Sequence, residues 1–180
     1  VVFQKTDLID VERTTTFQGD RATFDYTLDI SLKDPPQEKN QYHLLLRQQK
    51  FVMAEGDGRP TEMNAEQPRI IAIEQASADL ENYHRGGFLF TDSDVNGQTL
   101  NFRFKLQTTT SSGSEHLGKL FIELRSTSED YHLYNQSISD AFQSSGEPVD
   151  QPVIIYTNVE NGYGVFGGYS VVSDSLKVTN

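Results

Sequence analysis

Residues 22–33 read Ala22-Thr23-Phe24-Asp25-Tyr26-Thr27-Leu28-Asp29-Ile30-Ser31-Leu32-Lys33. Every even position is apolar and every odd position is polar. Unbroken period-two alternation predicts a strand with one buried face and one wet face. Phe24, Tyr26, Leu28, Ile30 and Leu32 are therefore the expected core, with Thr23, Asp25, Thr27 and Asp29 turned to water. Asp34-Pro35-Pro36 stops the strand, and Lys39-Asn40 leads into a second, Tyr42 to Val52. The short connection predicts a hairpin between the two. A second alternating stretch sets Leu100, Phe102, Phe104 and Leu106 between Asn101, Arg103, Lys105 and Gln107. The run Thr108 to Ser114 reads as a hairpin loop, with Leu120, Ile122 and Leu124 on the returning strand.

Between these pieces, residues 54–67 are polar with Gly and Pro and read as a loop. Ile70 to Ile73 suits helix or strand, and Phe88-Leu89-Phe90 reads as a short buried segment. One helix is predicted near 128–143. Ser126-x-x-Glu129 has the capping-box spacing. Tyr131, Tyr134, Ile138, Ala141 and Phe142 recur at three- and four-residue intervals, an apolar stripe for docking on a sheet. Gly146 and Pro148 end it. Many strands and one helix predict an all-β fold, a mostly antiparallel β-sandwich or incomplete barrel with one short helix. Residues 1–21 read as a lead-in arm or edge strand, and 22–180 as a single β-rich domain.

The chain has 180 residues, 15 Lys+Arg and 26 Asp+Glu, for a net charge of −11. That surface repels phosphate backbones and anionic headgroups, so neither nucleic acid nor a bare lipid surface is an expected partner. Cysteine is absent, which removes disulfides and thiolate metal sites. Tryptophan is absent too, so 11 Phe and 8 Tyr must carry the aromatic core. No run reaches the ~18 continuous apolar residues of a membrane helix.

The most distinctive run is Pro152-Val-Ile-Ile-Tyr-Thr-Asn-Val-Glu-Asn-Gly-Tyr-Gly-Val-Phe-Gly-Gly-Tyr169. Val153 to Tyr156 reads as a buried strand. Asn158, Glu160, Asn161, Gly162 and Gly164 then read as a structural turn in which polar side chains satisfy backbone groups. The expected role is a clasp, with Phe166 and a neighbouring tyrosine packed into the domain. The opposing reading makes the run a binding surface, with Tyr163 and Tyr169 as exposed anchors.

Several pieces together resemble a family of Bacteroidota surface lipoproteins of unknown function, typically encoded beside TonB-dependent outer-membrane receptors. The resemblance runs through Lys33-Asp34-Pro35 to Lys39-Asn40-Gln41-Tyr42, then Leu89-Phe90-Thr91-Asp92 with Asn96-Gly97. It continues in Ser126-Thr127-Ser128-Glu129-Asp130-Tyr131 to Tyr134, and ends on Tyr156-Thr157-Asn158-Val159-Glu160-Asn161-Gly162-Tyr163-Gly164-Val165-Phe166. The last is its most specific part. The resemblance implies an exported C-terminal domain of a larger protein, held at the outer membrane by a lipid anchor outside this chain. It brings no catalytic residues.

Other constellations carry less. Asp92-Ser93-Asp94-Val95-Asn96-Gly97 spaces side-chain oxygens as a calcium loop does, with Asp92, Asp94 and Asn96 the metal candidates. A hairpin turn with Asn-Gly at positive φ is the plainer reading. His43, His84, His116 and His132 show no metal-pair spacing, and no G-x-S-x-G elbow is present. The loop Tyr83-His84-Arg85-Gly86-Gly87 offers Tyr83 and Arg85 as contact residues. Asp174-Ser175-Leu176 makes Ser175 a candidate for O-glycosylation. No cofactor is expected. The expected function is a non-enzymatic accessory domain, at the cell surface or the periplasmic face, that binds an outer-membrane protein complex of the TonB-dependent receptor type or another, and helps handle substrate. Its rivals are a surface glycan or peptide hydrolase and a calcium- or carbohydrate-binding module.

Overall fold

The computed structural model describes residues 2–15, 21–36, 39–53, 60–63, 65–83, 86–111, 115–144 and 153–178. Two antiparallel sheets pack face to face. The first has four strands in the order β1 (Val2–Thr15), β2 (Arg21–Lys33), β8 (Thr99–Ser111), β5 (Arg69–Ala76). The second runs β10 (Tyr169–Lys177), β9 (Glu115–Thr127), β3 (Gln41–Met53), β7 (Phe88–Thr91), β6 (Glu81–Asn82), with β4 (Pro60–Glu62) also paired to β3. The helix α1 (Glu129–Ser144) lies outside the sandwich, on the second sheet.

The alternating stretches supply the core as predicted. Phe24, Tyr26, Leu28, Ile30 and Leu32 of β2 are buried, as are Leu100, Phe102, Phe104 and Leu106 of β8. They meet Tyr42, Leu44 and Leu46 of β3, Phe88 and Phe90 of β7, and Leu120, Ile122 and Leu124 of β9. Aromatic pairs sew the layers together: Phe88 on Phe104 and Phe90 on Phe102 each have ring centroids 5.3 Å apart. The outward residues of β2 are half-buried rather than fully wet, and Thr27 is buried. Side-chain bridges cover that face, Arg103 gripping both oxygens of Asp29 at 2.6 Å and Gln107 donating to Asp25 at 2.7 Å.

Four sequence expectations need correction. First, β2 and β3 are not a hairpin; they belong to different sheets, and so do β8 and β9. In both places the chain passes from one layer to the other; the residues between β8 and β9 lie outside the described ones. At the first crossing the buried Asp34 carboxylate takes the Tyr42 hydroxyl and, at 2.7 Å, the Gly97 N–H. Second, the loop at 54–67 contains β4, paired with the end of β3. Third, Val153 to Tyr156 is not a strand, and Ile154 stands 88 % exposed.

Fourth, the helix docks by a face turned from the predicted stripe and sharing Tyr131 with it. Its cap is Ser128, whose hydroxyl accepts the Tyr131 N–H at 3.3 Å; Ser126 is ladder-paired with Tyr42 in the sheet. The buried helical residues are His132, Asn135 and Ser139, whereas Phe142 is 60 % exposed. The reason lies in the surface beneath. Tyr42 and Leu44 point into the sandwich, so the outer face of β3 and β9 offers His43 and Arg125, which suit polar partners. The gap between the sheets already houses the apolar core.

Candidate functional site: an aromatic face behind and along the closing segment

The site starts at His43, buried on the outer face of β3. Its Nδ1 accepts the Tyr131 hydroxyl at 3.0 Å, and its Nε2 lies 3.4 Å from the Gly86 carbonyl. That partnering needs one proton on the ring, at Nε2. Arg125 donates to the Tyr131 oxygen at 3.2 Å and to Glu123 at 2.6 Å. Burial pushes the His43 imidazole down to about 4, against a smaller opposing pull from the Gly86 carbonyl. Burial also lowers His132, whose Nδ1 has no partner among the described residues.

Aromatic rings continue this network outward. Tyr83 meets His43 edge-on at 5.0 Å, and Tyr131 meets Tyr169 edge-on at 5.6 Å. The Arg125 guanidinium sits 4.5 Å over the Tyr169 ring, a cation–π contact. The structure thus brings two predicted contact residues, Tyr83 and Tyr169, into one row. His43, Tyr131 and Arg125 join it unpredicted. The only signal for them was a charged or aromatic residue at outward positions of a strand and on the helix.

The closing segment runs over the helix and back. The Tyr156 N–H donates to Ser137 Oγ at 2.9 Å, and its hydroxyl to Asp130. Asn158 then brackets Phe166, accepting its N–H at 2.8 Å and donating to its carbonyl at 2.9 Å. Thr157 Oγ1 donates to the Gly164 carbonyl at 2.7 Å. Between them Val159 to Gly162 makes a turn, with Asn161 in the left-handed region at φ 56°. Glu160 points to solvent. The return leg is pinned where Ser128 N–H donates to the Gly168 carbonyl at 2.9 Å and Ser128 Oγ accepts the Gly168 N–H at 3.1 Å.

The side chains do not follow the backbone inward, which overturns part of the clasp. Tyr163 is fully exposed, Phe166 is 88 % exposed, and Tyr169 keeps half its surface in water. Nor do Gly162 and Gly164 approach the sheet. Open space surrounds Gly164, although its φ of +117° still favours glycine. A Cβ at Gly162 would meet only the movable Val159 side chain. The close passage is at Gly167, where a Cβ would lie 3.0 Å from the Tyr131 backbone nitrogen.

The remaining candidates fall elsewhere. Arg85 lies outside the described residues. Asp92 is buried, receiving the Asn40 N–H at 2.9 Å and the Asn40 side-chain amide at 3.0 Å. Asp94 and Asn96 are exposed in the same turn, and Gly97 takes the positive φ. Among the described residues no group of three or more acidic or histidine side chains comes together as a metal site. Ser175 is half-buried in β10 opposite Phe121. No described helix is long and apolar enough to cross a membrane.

The chain is an antiparallel β-sandwich with an external helix and an aromatic face. It belongs to the family Domain of unknown function (DUF4249), whose sequence profile matches residues 3–175. No curated protein and no solved structure matches it.

Proposed function

We propose that this domain is a non-enzymatic accessory module of an outer-membrane complex, docking on a partner protein through the closing segment. The partner we favour is a TonB-dependent receptor, with the domain displayed at the cell surface by a lipid anchor carried elsewhere in the protein and helping capture or deliver substrate.

The observation that carries the reading is Ile154, Tyr163 and Phe166 standing almost wholly in water on a backbone that Asn158, Ser128 and Ser137 hold from behind. Leaving a large apolar side chain in water forgoes about 1.5–3 kcal/mol of burial. Large apolar side chains left exposed on one held segment mark an interaction site. Aromatic anchors are what protein interfaces use, and pre-ordering lowers the entropy lost on docking. The negative surface would steer the approach of a basic partner.

The test is photo-cross-linking in native membranes, with benzoylphenylalanine at position 163 or 166 of the full-length protein. The expected product is one discrete adduct with an integral outer-membrane protein, lost when the probe sits at Ser31 on the opposite sheet. Adducts to lipid alone, or equal adducts from both faces, would refute docking.

A further inference from the structure

We infer that the free edge of β10, beside the closing segment, takes up an extended basic segment of that partner as an added strand. The inference rests on the docking reading and specifies how the partner is held. β10 ends its sheet, and its ladder partner is β9. The Ser128 N–H to Gly168 carbonyl bond joins two residues directly opposite in that register. In an antiparallel ladder, bonded positions then recur at every second residue. Ser170, Val172 and Asp174 therefore aim their backbone groups at β9, and Tyr169, Val171 and Ser173 aim theirs away.

The next outward N–H, at Ser175, checks the phase: it donates to the Asp174 carboxylate at 2.7 Å rather than to β9. That carboxylate also receives the Thr6 hydroxyl of β1, so β1 guards this end. From Tyr169 to Ser173 no backbone partner lies on the outer side among the described residues. Edge strands usually block pairing with lysine, proline or a bulge. Tyr169-Ser170-Val171-Val172-Ser173 has none of these, and the β10–β9 register is unbroken.

Strand addition supplies affinity through main-chain bonds and specificity through alternate side chains. Tyr169 and Val171, both exposed, would flank the added strand's outer face. The charge around them selects its sign: Glu123, opposite Ser173, neutralises Arg125, which leaves Asp174 at the end of the run and a chain of net −11 around it. Two copies at −11 each repel, as does an anionic bilayer. A partner segment alternating apolar with Lys or Arg fits.

Peptides of about ten residues, a usual strand length or a little more, test this on the ¹⁵N-labelled full chain. One alternates valine with lysine, one alternates valine with glutamate, and one has the first composition in helical spacing. Only the first should bind saturably, slowing amide exchange at Tyr169, Val171 and Ser173 by about tenfold or more. Val171→Pro should abolish binding, because it removes an outward N–H without a β9 bond; Ser173→Lys, which charges the edge, should weaken it too. Failure of the valine–lysine strand to bind, equal binding of the helically spaced peptide, or binding without slowed exchange overturns the proposal. So does concentration-dependent dimerisation that protects the same amides. Cross-links from position 163 that survive Val171→Pro would remove strand addition and leave docking intact. Peptide binding without any protein cross-link would remove docking alone.

Discussion

His43 shows how one buried ring ties the face to pH. Its imidazole is neutral in the fold, held between the Tyr131 hydroxyl and the Gly86 carbonyl, with Arg125, Glu123 and His132 near it. The folded pKa lies below the unfolded one, so the unfolded chain takes up the proton first. Stability is therefore full above pH 6.5 and declines as pH falls from 6.5 through about 4. The parent should lose on the order of 2 kcal/mol between pH 7.5 and pH 5 by urea unfolding, and His43→Gln should flatten that decline. An unchanged slope in the variant would show that His43 does not control it. A second contrast concerns rings in the same chain. Phe102→Ala, in the core, should cost about 3–5 kcal/mol. Phe166→Ala and Phe142→Ala should stay within about half a kcal/mol, as surface changes do. A large loss at Phe166 would restore the clasp that its exposure contradicts.

Among the elements, α1 and the closing segment depend on one side chain. Ser128 caps the helix and receives the Gly168 N–H, so it fixes the helix start and the return leg together. Ser128→Ala should cost about 1–2 kcal/mol, the upper range for a lost cap. Amide exchange at Gly168 should rise with it; a rise confined to the helix would separate the two roles. This scale also marks the limit of what sequence reading delivers. Alternation reports which face of a strand is buried, and Phe24 to Leu32 obey it. It does not report which sheet a strand joins, because both layers of a sandwich bury the same kind of face. The helix departs from its predicted stripe for a related reason: a 3.6-residue stripe implies an apolar platform, and His43 with Arg125 makes a polar one. Tyr83 and Tyr169 were legible as contact residues, but nothing local indicated that His43 and Tyr131 would join them.

For the molecule as a whole, the −11 charge gives association a salt signature. If the partner face is basic, raising salt from about 0.05 to 0.5 M should slow the association rate by tenfold or more and leave dissociation nearly unchanged. A salt-independent on-rate would assign recognition to the apolar anchors alone.

The layer changes carry a further consequence. Because the chain crosses between layers at Asp34 and again after β8, neither sheet is a contiguous piece of sequence. The first sheet needs β1, β2, β5 and β8; the second draws on strands between and after them. No half of the domain holds a complete layer, so the sandwich has no smaller cooperative unit to fall back on and its contact order is high. The exposed aromatics are hung on α1 and β10, the last elements in chain order. A chain still short of β10 lacks the Tyr169 ring and the ladder to β9 that continues from Gly168, so a complete docking face is itself a report that folding has finished.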